Sequence, residues 1–424
     1  MENIENKVPN GENQDMQNSS FFSENVSSSN GLEPSIRFKN FCKKWENIKL
    51  KEVGTFQKGA PLSKADISQD GKPFILYGEL YTTYDEVTYN VVRKTNKEVE
   101  SIYLSNVGDV IIPTSGETPE EIATATCVMV PDVILAGDLY ILRQNKIDGR
   151  ILSYIINHVV NEKISRVAQG KSVVHVRAEE LGKIAINYPS LPEQQKIANF
   201  LSLVDQRIEK QRQLVEALKK YKRGAFQHIY RNKLINWEKK IVNDFSPVYG
   251  GYAFDSKCYD ENGSLNIITI GNVTGKRYIS MDCNRIKDIP LDLQEHQYLK
   301  KGDIVISMTG NVGRVSLVNA DNCLLNQRVA KIVIKDVYLK EYIYQVLSSS
   351  GFEQEMNNKG QGAAQKNIKN SDIENFIFYM PVDQNKIEEI SMLLYCLDTL
   401  IDKSENIIDA LISTKNGLLQ QMFI

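Results

Sequence analysis

The 424-residue chain carries 51 Lys and Arg against 53 Asp and Glu, a formal net charge of −2. With 42% hydrophobic and 25% charged residues it has the make-up of an ordinary globular protein, which excludes fibrous and low-complexity classes, and its length suits two to three domains. The charge by itself gives no support for nucleic-acid binding, because many DNA readers are basic overall; a subunit whose partner supplies the phosphate contacts need not be.

Residues 1–32 are rich in Asn, Ser and Glu and are expected to be a disordered tail. Phe21 and Phe22 are the exception, readable as a docking motif or as an incidental pair. The polar N-terminus shows no basic segment followed by an apolar one, so no signal peptide is expected. The six cysteines (Cys42, Cys127, Cys258, Cys283, Cys323, Cys396) form no Cys-x-x-Cys pair and do not cluster with the histidines. Free thiols in a reducing, cytoplasmic setting fit better than zinc or disulfides.

Residues 33–188 have the texture of short strands and loops. Ile75-Leu76-Tyr77, Val110-Ile111-Ile112 and Leu139 to Leu142 read as strands, bounded by Gly108-Asp109 and Gly137-Asp138 turns. Ile151 to Val160 reads as a helix with Ile151, Ile155, Ile156 and Val159 on one face. Residues 189–231 form the first long helix, with apolar positions at Ile197, Leu201, Val204, Ile208, Val215 and Leu218. Residues 232–380 repeat the strand texture at Ile267 to Ile270, Ile304 to Ile306 and Lys331 to Ile334, followed by a helix from Leu339 to Leu347. Residues 381–424 form a second long helix with Leu394, Leu397, Ile401, Ile408 and Leu411 in register. The longest apolar stretch, Met392 to Ile401, is broken by Asp398 and reads as amphipathic helix, so no membrane partner is expected.

The chain is therefore two copies of one plan. Trp45-Glu46 recurs as Trp237-Glu238, Gly108-Asp109-Val110-Ile111 as Gly302-Asp303-Ile304-Val305, and Pro192-Glu193-Gln194-Gln195-Lys196-Ile197, weakened, as Val382-Asp383-Gln384-Asn385-Lys386-Ile387. Both long helices carry steps of four and three, the seam of a coiled coil, and share their interruptions: Gln211 matches Ser404, and Lys222 matches Lys415. The first helix is basic (Arg207, Lys210, Arg212, Lys219, Lys220, Lys222, Arg223) and the second acidic (Glu388, Glu389, Asp398, Asp402, Glu405, Asp409), which favours pairing of the two. The competing reading is two amphipathic helices, each lying on its own domain. The expected fold is α/β (α+β): two tandem domains of similar fold, with mixed or antiparallel sheets, each followed by a long helix, the two helices pairing as a coiled coil with pseudo-twofold symmetry. Gln195 to Gln227 as one helix would run roughly 45–50 Å at about 1.5 Å per residue, enough to hold two readers about one B-DNA turn of 34–36 Å apart.

No catalytic motif emerges. There is no phosphate loop. Gly310-Asn311-Val312-Gly313 lacks the third glycine of a dinucleotide fingerprint, and Asn187-Tyr188-Pro189-Ser190 only superficially echoes an amino-methyltransferase loop. His158, His175, His228 and His296 are isolated and read as surface or packing residues.

Pro34-Ser35-Ile36-Arg37-Phe38 with Phe41 and Trp45, and Leu76-Tyr77-Gly78-Glu79-Leu80-Tyr81-Thr82-Thr83-Tyr84, resemble the opening of type I restriction–modification specificity subunits. SLPEQQKIANFLSLVDQRI from Ser190 and the basic run Lys219-Lys220-Tyr221-Lys222-Arg223-Gly224 resemble that family's central segment. In the second half, Ser307-Met308-Thr309-Gly310-Asn311-Val312-Gly313 and Leu418-Leu419-Gln420-Gln421-Met422-Phe423 are similar too. The resemblance implies target-recognition domains that each read one half of a bipartite site in double-stranded DNA, joined by an antiparallel spacer. It implies docking of two methyltransferase (modification) subunits that methylate adenine N6, and of restriction subunits. S-adenosylmethionine, ATP and Mg2+ then belong to the partners, with no cofactor and no chemistry on this chain. The alternative is a non-catalytic coiled-coil scaffold whose two domains bind proteins.

Base readout needs donors and acceptors on loops of a rigid scaffold. The first-domain candidates are Tyr81, Thr82, Thr83 and Tyr84; Ser115, Glu117 and Thr118; and Gln169, Lys171 and Ser172. Those of the second are Thr309 and Asn311; Gln327 and Arg328; and Gln361, Gln365, Lys366 and Asn367. Gly170, Gly360 and Gly362 either admit close approach of DNA or simply turn the chain. The duplication also implies that a half-chain ending near Tyr230 could self-associate to read a palindromic split site, although the charge bias of the first helix works against it.

Overall fold

The computed structural model describes residues 22–24, 34–144, 146–170, 173–361 and 366–423. The chain folds as two compact units. One joins the residues up to Glu209 with those from Ala410 onward; the other spans Lys210–Asp409. These limits differ from the sequential domains expected above, because each unit holds one recognition domain together with part of both long helices. The central helix runs Leu191–Tyr230 and the distal helix Gln384–Met422.

In the first unit a mixed five-stranded sheet is built around the strand Asp109–Pro113. Leu139–Gln144 and Thr126–Val128 pair with it antiparallel, and Val87–Thr88 joins parallel at the edge. Val110, Ile111 and Ile112 are all fully buried, because both faces of this strand are covered. Val110 and Ile112 face the core under the helix Gly149–His158, while Ile111 faces a second cluster with Leu139 and Ile141. A continuous apolar run is what a strand buried on two faces requires. A second, three-stranded sheet centres on Lys72–Leu76, parallel to Ile134–Ala136. The expected strand ends one residue early: Tyr77 starts a tight 3-10 turn, Tyr77–Leu80, whose Glu79 carboxylate accepts the Leu76 N–H at 3.1 Å.

The second unit repeats the plan. Ile304–Ser307 lies between Val329–Ile332 and Val315–Leu317 in a four-stranded antiparallel sheet, and a second sheet carries the parallel pair Leu265–Ile268 and Cys323–Leu325. The Gly-Asp turns serve the same purpose in both copies. Gly108 and Gly302 adopt φ of 93° and 92°, a region that favours glycine. The following Asp109 and Asp303 carboxylates accept the N–H of Asn106 and Lys300 at 2.8 and 2.9 Å. The helices Gly149–His158 and Val337–Leu347 are both capped by an aspartate, Asp148 and Asp336.

Each copy opens on a strand that returns to the one just before its long helix. Glu46–Lys49 pairs with Ala185–Tyr188, and Trp237–Ile241 with Ile377–Pro381. At the first of these junctions Arg37 forms a bidentate pair with Glu193, at 2.6 and 2.8 Å, with both side chains buried. Gln194 accepts the Asp148 N–H and donates to the Pro189 carbonyl. The Pro-Glu-Gln-Gln run is thus a joint between domain and helix. Phe22–Glu24 pairs antiparallel with Ile36–Phe38, so these three residues depart from the expected disordered tail by adding to an open strand edge. The rest of 1–32, Phe21 included, lies outside the described residues.

Within each unit the two long helices pack antiparallel. In the second unit Gln211 donates to the Ser404 carbonyl at 3.4 Å, Lys219 pairs with Glu405 at 2.9 Å, and Lys222 with Asp398 at 2.6 Å. In the first, Lys415 sits 2.8 Å from Asp205. Of the seam residues, Ile197, Leu201, Ile208, Val215, Leu394, Leu397 and Ile401 are buried, and Val204, Leu218, Ile408 and Leu411 half-buried. The competing arrangement is also partly realised: Ile197 and Leu201 belong to the first domain's core, and Leu394 and Leu397 to the second's.

Lys415 also pairs with Glu86 at 2.7 Å, and Glu86 with His158 at 2.6 Å. Burial alone would raise the Glu86 carboxyl, but His158 and Lys415 hold it down to about 2, against an ordinary 4.5. A depressed folded-state value stabilises the fold above pH 4.5 and loses that contribution as pH falls towards 2. The gap is worth on the order of 3 kcal/mol at neutral pH. Glu86→Gln should therefore lower the urea midpoint at pH 7, and the difference from wild type should close as the pH is taken from 5 towards 2. A pH-independent difference in equilibrium unfolding would show that Glu86 acts by packing alone.

Candidate nucleic-acid interface

The loops of the first domain surround a cleft of about 1370 Å3. Its wall contains the expected Tyr81, Thr82, Thr83, Ser115 and Glu117, together with Lys58, Ser63, Lys64, Arg93, Asp138 and His175, which were not among the candidates. The residues that follow the 3-10 turn Tyr77–Leu80 supply the tyrosine and threonines, and the short strand Ser115–Gly116, just beyond Asp109–Pro113, supplies Ser115. Burial, then the charge of Glu121, push the Tyr81 phenol above its ordinary value, which keeps it a protonated donor at neutral pH. Thr82 donates to the Gly78 carbonyl at 2.8 Å and contacts the Thr83 hydroxyl at 3.3 Å. Arg93 is half-exposed and pairs with Glu79 at 3.0 Å. The bases Lys58, Lys64 and Arg93 and the acids Glu79, Glu117, Glu121 and Asp138 all line the cleft, which is therefore of mixed polarity.

Three expected residues stand apart from it. The Tyr84 hydroxyl accepts the Val92 N–H at 3.0 Å, and its ring packs on the core. Thr118 caps the short helix Pro119–Ile122 by accepting the Glu121 N–H. Gln169 closes a hairpin with His175 through two backbone hydrogen bonds of 2.9 and 2.8 Å. Gly170 turns that hairpin at φ 143°, where an added Cβ would lie 1.9 Å from the Val173 carbonyl oxygen, so its role is to bend the chain. Lys171 and Ser172 lie outside the described residues.

The hairpin brings His175 opposite Ser115 in an antiparallel pair. Ser115 Oγ lies 2.8 Å from His175 Nδ1 and 3.1 Å from Asp138 Oδ2. This is no nucleophile centre. In a serine triad the carboxylate stands behind the imidazole. Here Asp138 binds the hydroxyl itself, and Ser115 is buried. No signal of spacing in the sequence marked His175; only the sheet register brings it to Ser115.

The second domain builds the same hairpin. Gln361 and Asn367 exchange two backbone hydrogen bonds of 3.0 and 2.9 Å, and Asn367 stands opposite Thr309. Thr309 Oγ1 donates to Asn367 Oδ1 at 2.7 Å. Ser115 and Thr309 follow equivalent strands, so three of the expected second-domain residues meet at one place. Asn311, Gln327 and Arg328 are exposed on neighbouring turns. Lys366 differs from expectation: its ammonium donates to the Asn357 carbonyl at 3.0 Å, in the last turn of the helix Ser350–Lys359, where a cation is favoured. Gln365 and Gly362 lie outside the described residues, and Gly360 ends that helix at an ordinary φ of −59°. Among the described residues no group of His, Cys, Asp and Glu is placed to hold a metal, and all six cysteines are unpaired. No described helix is long and apolar enough to cross a membrane.

Two tandem domains of one mixed α/β plan, each presenting polar loops beside a long helix, define a duplicated recognition protein. The chain belongs to the family of the type I restriction modification DNA specificity domain, which it matches twice, over residues 42–220 and 235–412. It is 23% identical over 385 residues to the type I restriction enzyme MjaVIII specificity subunit of Methanocaldococcus jannaschii, covering 84% of this chain and 87% of that protein. With the MjaIX specificity subunit of the same organism it shares 22% identity, covering 90% and 93%. The fold is similar to the crystal structure of a type I restriction–modification S subunit from M. genitalium, with a TM-score of 0.61 at 14% identity, covering 92% of this chain and 99% of that one.

Arg328 has no ion pair or side-chain hydrogen bond among the described residues and stands exposed beside Gln327. If it is bidentate to a guanine, Arg328→Ala should cost about 1–3 kcal/mol of binding to the cognate duplex and relax one position of the second half-site. Competition binding against single-base variants reads this out. A uniform loss over all sequences with a shallower salt slope would make it a phosphate contact.

Proposed function

We propose that this specificity subunit reads a bipartite DNA site, one half per recognition domain, and directs partner subunits to it without chemistry of its own. The observation that carries the reading is the recurrence, at the same sheet end in both domains, of a hairpin locked onto a strand hydroxyl and surrounded by polar loops. Rigid elements hold these groups, as base readout requires. The partners are an adenine-N6 methyltransferase, as two subunits, and restriction subunits, which carry S-adenosylmethionine, ATP and Mg2+. The long helices act as the spacer that sets the separation of the two half-sites, and the complex works in the cytoplasm.

The distal helix offers a place for the methyltransferase. Leu393, Leu400 and Ile407, seven residues apart, form a stripe on its outer side and are exposed, whereas Leu394, Leu397 and Ile401 are buried. Exposed apolar stripes of this kind mark protein contacts. Leu400→Glu should abolish co-purification of the methyltransferase subunit while leaving the melting temperature of the isolated subunit unchanged. Retained co-purification would place the dock elsewhere.

The decisive experiment is single-molecule sequencing of adenine methylation in cells that carry the methyltransferase subunit with or without this chain. The expected result is a methylated split motif that disappears with the chain. An unchanged methylome, with the partner expressed and folded, would favour a protein-binding scaffold instead.

A further inference from the structure

The trio Ser115, His175 and Asp138 fixes the polarity of one group on the cleft wall. Ser115 Oγ carries a single proton and touches both Asp138 Oδ2, at 3.1 Å, and His175 Nδ1, at 2.8 Å. A carboxylate only accepts, so the serine proton goes to Asp138. Oγ then meets Nδ1 with a lone pair, and Nδ1 carries the hydrogen. In a neutral imidazole this leaves Nε2 unprotonated, an acceptor. His175 is exposed, lines the cleft, and its Nε2 has no protein hydrogen bond among the described residues. Ser115, by contrast, is buried and so holds the ring from beneath.

We propose that His175 is a base-reading residue of the first domain, its Nε2 accepting a hydrogen bond from an exocyclic amino group, adenine N6 or cytosine N4. These are the bases that present a donor in the major groove; guanine and thymine present acceptors there. Ser115 and Asp138 are positioning residues. The second domain has a side chain at the equivalent hairpin position, Asn367, likewise held by a strand hydroxyl, that of Thr309. A shared register position with different chemistry is what two readers of different half-sites need. The inference rests on the DNA-reading assignment above and adds the residue, its polarity and the base class.

The test uses the full chain with its methyltransferase partner and reads the methylated motif. His175→Ala should make one adenine or cytosine position of one half-site degenerate and leave the other half-site intact. Discrimination at that position should fall roughly 5- to 150-fold, the effect of leaving one donor unsatisfied. Whether the relaxed base pair is A·T or C·G identifies the amino group, adenine N6 or cytosine N4. Ser115→Ala should relax the same position, whereas a merely structural defect would blur the whole half-site. His175→Gln, which keeps an acceptor, should restore part of the discrimination. An unchanged motif for His175→Ala, blurring of the whole half-site, or a uniform loss of affinity with a shallower salt slope would each overturn the proposal. A wild-type complex that yields no split motif would overturn the DNA-reading assignment itself, and this one with it.

Discussion

The structure depends on a lysine paired with acids where the long helices meet. Lys415 is held by Asp205 and Glu86 in the first unit, and Lys222 by Asp398 in the second. The two lysines and the two aspartates are separated by the same 193 residues (415−222 and 398−205), so these are copies of one clamp. Removing an ammonium from water costs several kcal/mol unless it is paired, and breaking such a pair costs about 3–5 kcal/mol. A helix pair slipped by one turn would leave the buried Lys415 and the half-buried Lys222 unpaired. The clamp therefore specifies register, which an aliphatic seam alone leaves loose.

The clamp also ties each domain to the helices. In the first unit Glu86, on the loop before Val87–Thr88, and the Tyr154 hydroxyl, on Gly149–His158, complete the cluster from the domain side. In the second, Asp398 is shared by Lys222, Arg277 and Gln345, and Arg277 forks onto Glu341 at 2.8 and 2.6 Å while lying against Tyr344 and Tyr395. Burial and the nearby Asp398 charge raise the Tyr344 phenol, so it remains neutral among these charges. The same residues that set helix register thus fix how a domain sits on its own helix segments. The loops at the far end of each sheet inherit that rigidity.

Much of this was legible in the chain itself. The two long helices, their seam and their pairing follow from heptad spacing and complementary charge, their antiparallel sense from the family resemblance, and the Gly-Asp turns announce the central strand of each copy. Lys415 was visible only as an interruption of the seam, because its acids lie on the other helix and, for Glu86, in a loop 329 residues away. The cleft was half legible. Tyr81, Thr82, Thr83, Ser115 and Glu117 stand out as polar residues near turns, but His175 and Asp138 reach Ser115 only through sheet register, which local spacing does not encode. Lys366 has the composition of a reader, yet a nearby helix end captures its charge.

The near-neutral charge of the chain, at first an argument against DNA, becomes intelligible through the cleft. Phosphate binding rewards positive charge regardless of sequence, whereas reading a base edge needs donors and acceptors in fixed places. A wall that carries Lys58, Lys64 and Arg93 together with Glu117, Glu121 and Asp138 is poor at the first task and suited to the second. On the DNA-reading function proposed above, acidic groups there would repel DNA placed wrongly and accept from amino groups placed rightly. A protein that divides labour in this way can leave general attraction to partners with positive surfaces and spend its own charged groups on discrimination.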